Sequence, residues 1–247
     1  MATNVVDIKA LLEAGAHFGH KTSRWHPKMA PYIHSRRGDI HIINLERTLE
    51  QLESAMKFVA ETAAQGQQIL FVGTKRQAKD IVKAAAEAVK QPYVVERWLG
   101  GTLTNANTVN ARIKKLKDLE SRMANGELAS KYNKLEVQRF QEQIDAMNIV
   151  FGGIKEMSAK LGALFVIDAI EEATAIREAS RLSIPIIAIV DTNADPSQVK
   201  YPIAANDDAI KTVAMICDLI KSAIEAGQTT RLKKVDVKED NKKAGDK

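Results

Sequence analysis

The stretch Gln68-Ile69-Leu70-Phe71-Val72-Gly73-Thr74 decides the fold. Its apolar side chains stand at consecutive positions, so a strand formed here hides both of its faces. A parallel sheet covered on each side by crossover helices has that requirement. Working outward, Ala163 to Asp168 (ALFVID) and Ile184 to Val190 (IPIIAIV) carry the same two-sided pattern. Ile40 to Leu45 (IHIINL) and Tyr93 to Arg97, which follows Pro92, read as two further strands. Helical periodicity fills the intervals: Glu46 to Gln65, Lys75 to Lys90, about Glu171 to Leu182 and about Asp207 to Ala226. Repeated strand–helix order predicts an α/β fold with a five-stranded parallel, doubly wound sheet. A flavodoxin-like strand order is the expectation.

The interval between the third and fourth of these strands is too long for a loop. Val137, Phe140, Ile144, Met147 and Phe151 step by 3 and 4 residues, the spacing of a helix seam. Val109, Ile113, Leu116 and Met123 repeat it with Glu120 in one slot, and Asn125-Gly126 lies between the two as a stop signal. Paired antiparallel, they predict an inserted helical coiled-coil hairpin over residues 105–155. Three other units are expected. Residues 1–39 hold a short amphipathic helix, about Val6 to Glu13, and then an irregular basic segment. Residues 40–104 and 156–227 make the α/β globular domain. Residues 228–247 form a charged tail with too few large apolar side chains to order itself, expected to be mobile unless bound.

Composition narrows the function. The 247 residues include one cysteine, so no internal disulfide forms and a reducing, cytoplasmic setting fits. Cys217 falls among apolar residues of a helix and reads as core. The longest apolar runs fall far short of the ~18 residues of a membrane span. The N-terminal MATNVVDIKALLEAG has no apolar signal core, so export is not expected. Aromatic residues are 5%, too few for wide base-stacking platforms. Net charge is only +5, but it is gathered: residues 1–41 carry +3, residues 97–139 carry +5 and residues 228–247 carry +3, leaving the remainder acidic. A polyanion partner suits such clustering, because each neutralised phosphate releases counterions.

No Gly-x-Gly occurs and no Gly precedes Lys-[Ser/Thr], so the dinucleotide and P-loop signatures are absent. Gly73-Thr74-Lys75 does sit where a strand meets a helix. There Lys75 and Arg76 would meet an anion, or the residues simply make a turn. All five histidines, His17, His20, His26, His34 and His41, lie within a short span. His17 and His20 have no nearby cysteine and are separated by Gly19, so no metal site is expected. Interleaved with Lys21, Arg24, Trp25, Lys28, Arg36 and Arg37, the histidines instead make an RNA-contact element, since irregular RNA is read by shape, stacking and phosphate contact. Arg112, Lys114, Lys115, Lys117 and Arg122 give the first hairpin arm a basic face, for polyanion or for solvent. A reading from another class has Asp168, Asp191, Asp195 and Asp208 hold Mg²⁺ for phosphotransfer. Against it, Asp, Asn and Pro also build turns and caps, and no Lys, Ser or Cys nucleophile is spaced with them.

Nine segments, taken together, resemble the bacterial small-subunit ribosomal protein two family. They are LLEAGAHFGHKTSRWHPKMAPYI (Leu11–Ile33), IHIINLERTL (Ile40–Leu49), ILFVGTKRQA (Ile69–Ala78), RWLGGTLTN (Arg97–Asn105), GGIKEM (Gly152–Met157), ALFVID, IPIIAIVDTNADP (Ile184–Pro196), YPI (Tyr201–Ile203) and NDDAI (Asn206–Ile210). They keep the family's order and spacing over about residues 5–227. His26, Thr102, Ala169 and Ala204-Ala205 stand where the family usually has Asn, Met, Pro and Pro-Gly. The resemblance implies a non-enzymatic, rRNA-binding component of the 30S subunit, with a role in assembly and in docking ribosomal protein one. No cofactor, small-molecule substrate or membrane is implied. It places RNA contacts at Lys21, Arg24, Trp25 and Lys28, at the Lys75–Arg76 turn, and from Arg97 through Gly100-Gly101 to Asn105. Trp98 is expected to pack at the hairpin's base rather than to stack on a base.

Overall fold

The computed structural model describes the backbone of residues 7–245 and the side chains of residues 7–232. Val6 and the side chains of residues 233–247 lie outside the described residues. Helix α1 (Ile8–Ala14) starts at Asp7, whose carboxylate accepts from Lys9 N, and ends on Gly15 at φ 81°. Three strands follow: β1 (Phe18–Lys21), β2 (Ile33–Arg37) and β3 (Ile40–Ile43), antiparallel in the order β1-β3-β2. Two 3₁₀ turns, Thr22–Arg24 and Pro27–Tyr32, separate β1 from β2. Two expectations are corrected here. The basic segment is not irregular, and Ile40–Ile43 does not belong to the main sheet. In β3 only Ile43 is buried while Ile40 is exposed, the one-sided pattern of a solvated antiparallel ribbon.

Helix α2 (Leu45–Ala64) begins at once, because the Asn44 side chain accepts from Glu46 N and Arg47 N. Then come β4 (Gln68–Val72), α3 (Lys79–Ala88) and β5 (Tyr93–Val94). The helices α4 (Ala106–Ala124), α5 (Glu127–Lys131) and α6 (Lys134–Phe151) follow. The chain continues through β6 (Leu161–Ile167), α7 (Ala173–Arg181), β7 (Ile186–Val190), β8 (Tyr201–Ala204) and α8 (Ile210–Gly245). The main sheet is five-stranded and parallel in the order β5-β4-β6-β7-β8, consistent with a flavodoxin-like fold. Its fifth strand is β8, not the Ile40 segment. Pro202 lacks an N–H and masks the strand pattern, yet is tolerated because β8 is an edge.

Strict alternation explains the two-sided burial. Ile69, Phe71, Phe165, Ile187 and Ile189 point into one core with Leu52, Val59 and Val82 of α2 and α3 and Ile216 and Ile220 of α8. Leu70, Val72, Leu164, Val166, Ala188 and Val190 point the other way, onto Ile176 and Ala179 of α7 and Ile113, Ile144 and Phe151 of α4 and α6. Gly126, at φ 71°, breaks α4 from α5, as Asn125-Gly126 predicted. In place of an apolar contact, Glu120 on α4 accepts from Asn148 at 2.8 Å and Lys155 at 2.6 Å. The Lys155 ammonium, with Asn148, holds the Glu120 carboxyl below its ordinary value.

Phe165 is fully buried, with its ring 5.2 Å from Phe71 in an edge-on pair. Phe165→Ala should destabilise the chain by about 3–5 kcal/mol, read as a fall in the urea unfolding midpoint with the slope unchanged.

Candidate nucleic-acid interface

The carboxyl end of the main sheet, where doubly wound folds bind phosphates, is filled by the protein's own acids. Thr74 N donates to the buried Glu172 carboxylate at 2.7 Å. Burial holds Glu172 above its ordinary pKa, although the bond from Thr74 favours the charged form. Lys75 Nζ lies 2.6 Å from Asp207, 2.7 Å from Asp208 and 3.2 Å from Asp168. Burial alone would depress the Lys75 ammonium, but the Asp207 and Asp208 carboxylates hold it above its usual value. Burial, with repulsion from Asp168 and Asp191, pushes Asp207 up to about 7 against the pull of Lys75. A phosphate here would meet carboxylates, so Gly73-Thr74-Lys75 is a turn and Lys75 is not free for RNA. The helix expected from Lys75 starts at Lys79, since the chain first makes a turn in which Ala78 N donates to Lys75 O at 2.8 Å.

His20 reaches the same place from β1. Its Nδ1 is 3.1 Å from Asp191 Oδ2 and its Nε2 is 3.5 Å from Asp208 Oδ2. The neighbouring Asp191 carboxylate raises the His20 pKa, outweighing burial. His20 N also donates to Thr192 Oγ1 at 2.8 Å, and His26 N to Thr192 O at 2.7 Å, so the small sheet is fastened to the end of β7.

A second carboxylate organises the base of the α4–α6 arms. Glu178 on α7 is 7% exposed. It accepts from Trp98 Nε1 at 3.0 Å, Gly101 N at 2.7 Å, Leu103 N at 3.0 Å and Thr104 N at 3.1 Å. Burial would raise its pKa, but these donors more than offset it and hold the carboxyl below its ordinary value. Trp98 therefore packs and hydrogen-bonds inward, as expected. The expected strand from Tyr93 leaves the sheet after Val94 because the chain turns toward Glu178. An acid among the alanines of α7 gives no sequence signal for this role, and Glu178 was missed, as were Glu172 and the meeting of His20 with Asp191.

The remaining candidates for RNA contact face outward. Lys21, Arg24, Trp25, Arg36, Arg37, Arg76, Arg97, Asn105, Arg112, Lys114 and Lys115 are all exposed. Lys21 and Arg24 line a cleft of about 400 Å³ with His20, Asn206 and Asp208. Asn105 and Arg112 line another of about 470 Å³ with Gly100, Gly101 and Val150. Some candidates already have partners. Lys28 pairs with Asp195 at 2.8 Å, and that bond holds the Asp195 carboxyl far below its usual range. Arg36 Nε donates to Gly38 O at 2.8 Å. His26, half-buried, accepts from Lys28 N through Nδ1 at 3.3 Å and so caps the second 3₁₀ turn. Trp25 is 39% exposed, with its ring 5.3 Å from His41.

The profile of the family described as ribosomal protein S2 matches residues 11–227. The chain belongs to that family. It is 47% identical to the small ribosomal subunit protein uS2 of Roseiflexus sp. (strain RS-1), over 93% of this chain and 87% of the relative. It is also 47% identical to that of Chloroflexus aggregans, over 92% and 95%, and 44% identical to that of Rhodospirillum rubrum, over 94% and 88%. The protein is thus a structural component of the small ribosomal subunit, at work in the cytoplasm, and not an enzyme. The phosphotransfer reading of the aspartates is set aside. Among the described residues no helix is long and apolar enough to cross a membrane.

A carboxylate whose folded pKa is depressed contributes stability above its unfolded value, and that contribution disappears as pH falls through the folded one. Glu178→Gln should therefore cost about 2 kcal/mol at neutral pH. The difference from the unmodified chain should shrink as pH drops below the ordinary carboxylate range, measured by denaturant unfolding across pH.

Proposed function

We propose that this protein holds its place in the small subunit by laying exposed cations on the sugar–phosphate surface of rRNA. The observation that carries the reading is the separation of charge. The aspartates are drawn inward around Lys75. Lys21, Arg24, Arg76, Arg97, Arg112, Lys114 and Lys115 stand exposed outside. Phosphate contacts of this kind position a protein without reading sequence. Trp25 offers a partly exposed ring for one base or sugar, and Asn105 with Gly100-Gly101 allows close approach of backbone beside Arg112. Lys28, His26 and Arg36, already engaged within the protein, contribute shape more than free charge.

The α4–α6 arms act as the projecting coiled-coil hairpin that meets neighbouring ribosomal proteins, and the charged stretch after Gly227, which the structure continues as helix α8 where a mobile tail was expected, offers a further face to them. Through these faces the protein supports late assembly, docking of ribosomal protein one and translation. The α/β body, residues 40–104 and 156–227, is the rigid unit that spaces them.

The double variant Lys21→Glu, Arg24→Glu should fold normally yet incorporate poorly, with occupancy lost at lower salt than for the unmodified chain. Sedimentation of subunits over a salt series measures this, and normal incorporation at every salt concentration would refute the contact.

A further inference from the structure

At the root of the α4–α6 arms, where α4 starts and α6 ends, lies a cleft of about 470 Å³. Its floor is apolar. Val109 of α4 and Phe151 of α6 are buried there, with Leu99 and Val150 half-buried beside them. Its rim is polar: Asn105, Thr108 and Arg112 stand exposed along the start of α4. A third side is bare backbone, Gly100-Gly101. Asn105 occupies the N-cap of α4, where its side chain would ordinarily accept from the helix backbone, yet it makes no such bond. Its Oδ1 instead accepts from Thr108 Oγ1 at 3.0 Å, and its amide N–H groups have no partner among the described residues. The cations of α4 that form ion pairs are Lys117 and Arg122, so Arg112 is unpaired among the described residues. Among the same residues no acid lines the cleft, and none lies in the first turn of α4.

We infer, on the footing of the proposed rRNA contact, that this cleft receives one unpaired nucleotide of the small-subunit rRNA, its base against the apolar floor and its phosphate on Arg112. A floor without charge beside an unpaired guanidinium calls for a ligand that is apolar at one end and anionic at the other. A nucleotide joins those two parts through one sugar. In a duplex the base faces are hidden in the stack, so only a nucleotide splayed from a loop, bulge or strand end presents both. The free Asn105 donors meet the edge of such a base. The two glycines let the sugar come close to backbone with no side chain between. The cleft also falls within the ~300–1,000 Å³ of small-ligand sites. Exposed cations elsewhere position the protein without regard to sequence. This cleft would fix register, because one base of one loop has to sit in it.

The test rebuilds small subunits with the full-length chain and maps base accessibility with dimethyl sulfate and a carbodiimide, which modify the pairing edges of unpaired bases. An unpaired base that is reactive in subunits lacking the chain should be protected once it is present. Val150→Asp puts a carboxylate on the floor. Compared at equal occupancy, it should raise the reactivity of that base by about tenfold and leave the other protections in place. Retention of every protection in this variant overturns the inference while the charge-based contact stands. Absence of any rRNA protection by the unmodified chain overturns both. Should Val150→Asp fail to fold, the double variant Asn105→Ala, Arg112→Gln decides. Both side chains are exposed and Asn105 makes no cap bond, so the fold is kept. The same base must then regain reactivity, and unchanged protection overturns the inference. A benzophenone side chain placed at Val150 should crosslink to that nucleotide under ultraviolet light, and capture of a neighbouring protein alone overturns it too.

Discussion

Charge burial at the carboxyl end of the sheet is the constraint around which the rest is arranged. Parallel strands deliver their C-terminal loops to one edge, and here those loops bring Asp168, Asp191, Asp207 and Asp208 together. Acids so close repel unless a cation is shared among them, and Lys75 is the cation supplied from the end of β4. From the end of β4 this lysine ties the loop after the adjacent β6 to the loop after the far edge strand β8 through side chains. His20 extends the same electrostatic contact to the N-terminal sheet. A fold that elsewhere holds an anionic ligand at this position has here closed it with its own carboxylates. The rRNA contacts we propose then fall to the outer faces.

Glu178 solves a related problem at the base of the helical arms. A chain leaving the sheet after Val94 has backbone N–H groups without strand partners, and one buried carboxylate takes several of them at once. The positive φ of Gly101, 91°, lets the backbone curl around it. The loop from Trp98 to Thr104 is therefore held against α7, and the direction of α4 follows from where that loop is fixed.

Much of this was legible in the sequence, and the reasons differ element by element. β4, β6 and β7 announced themselves because two-sided burial demands runs of apolar residues, and Asn125-Gly126 marked the helix break through the backbone freedom of glycine. The seam of α4 and α6 was readable because helix spacing repeats. β8 was missed because Pro202 imitates a turn. IHII was placed in the wrong sheet because periodicity reports burial and not partnership. Antiparallel β1 and β2 were hidden by polar, basic residues that face solvent. The basic candidates were found because charge needs no fold to be counted. Their inward counterparts Glu172, Glu178 and Asp207 were not, since a carboxylate shows its partner only after distant segments have met.

The edges of the main sheet carry a consequence for the life of the chain before it joins a particle. One border is the two-residue β5, and the other is β8 with Pro202 in its middle. Neither presents the long unbroken row of donors and acceptors that lets strands of separate molecules zip together. The blunt borders of its own sheet thereby guard the chain against edge-to-edge self-association.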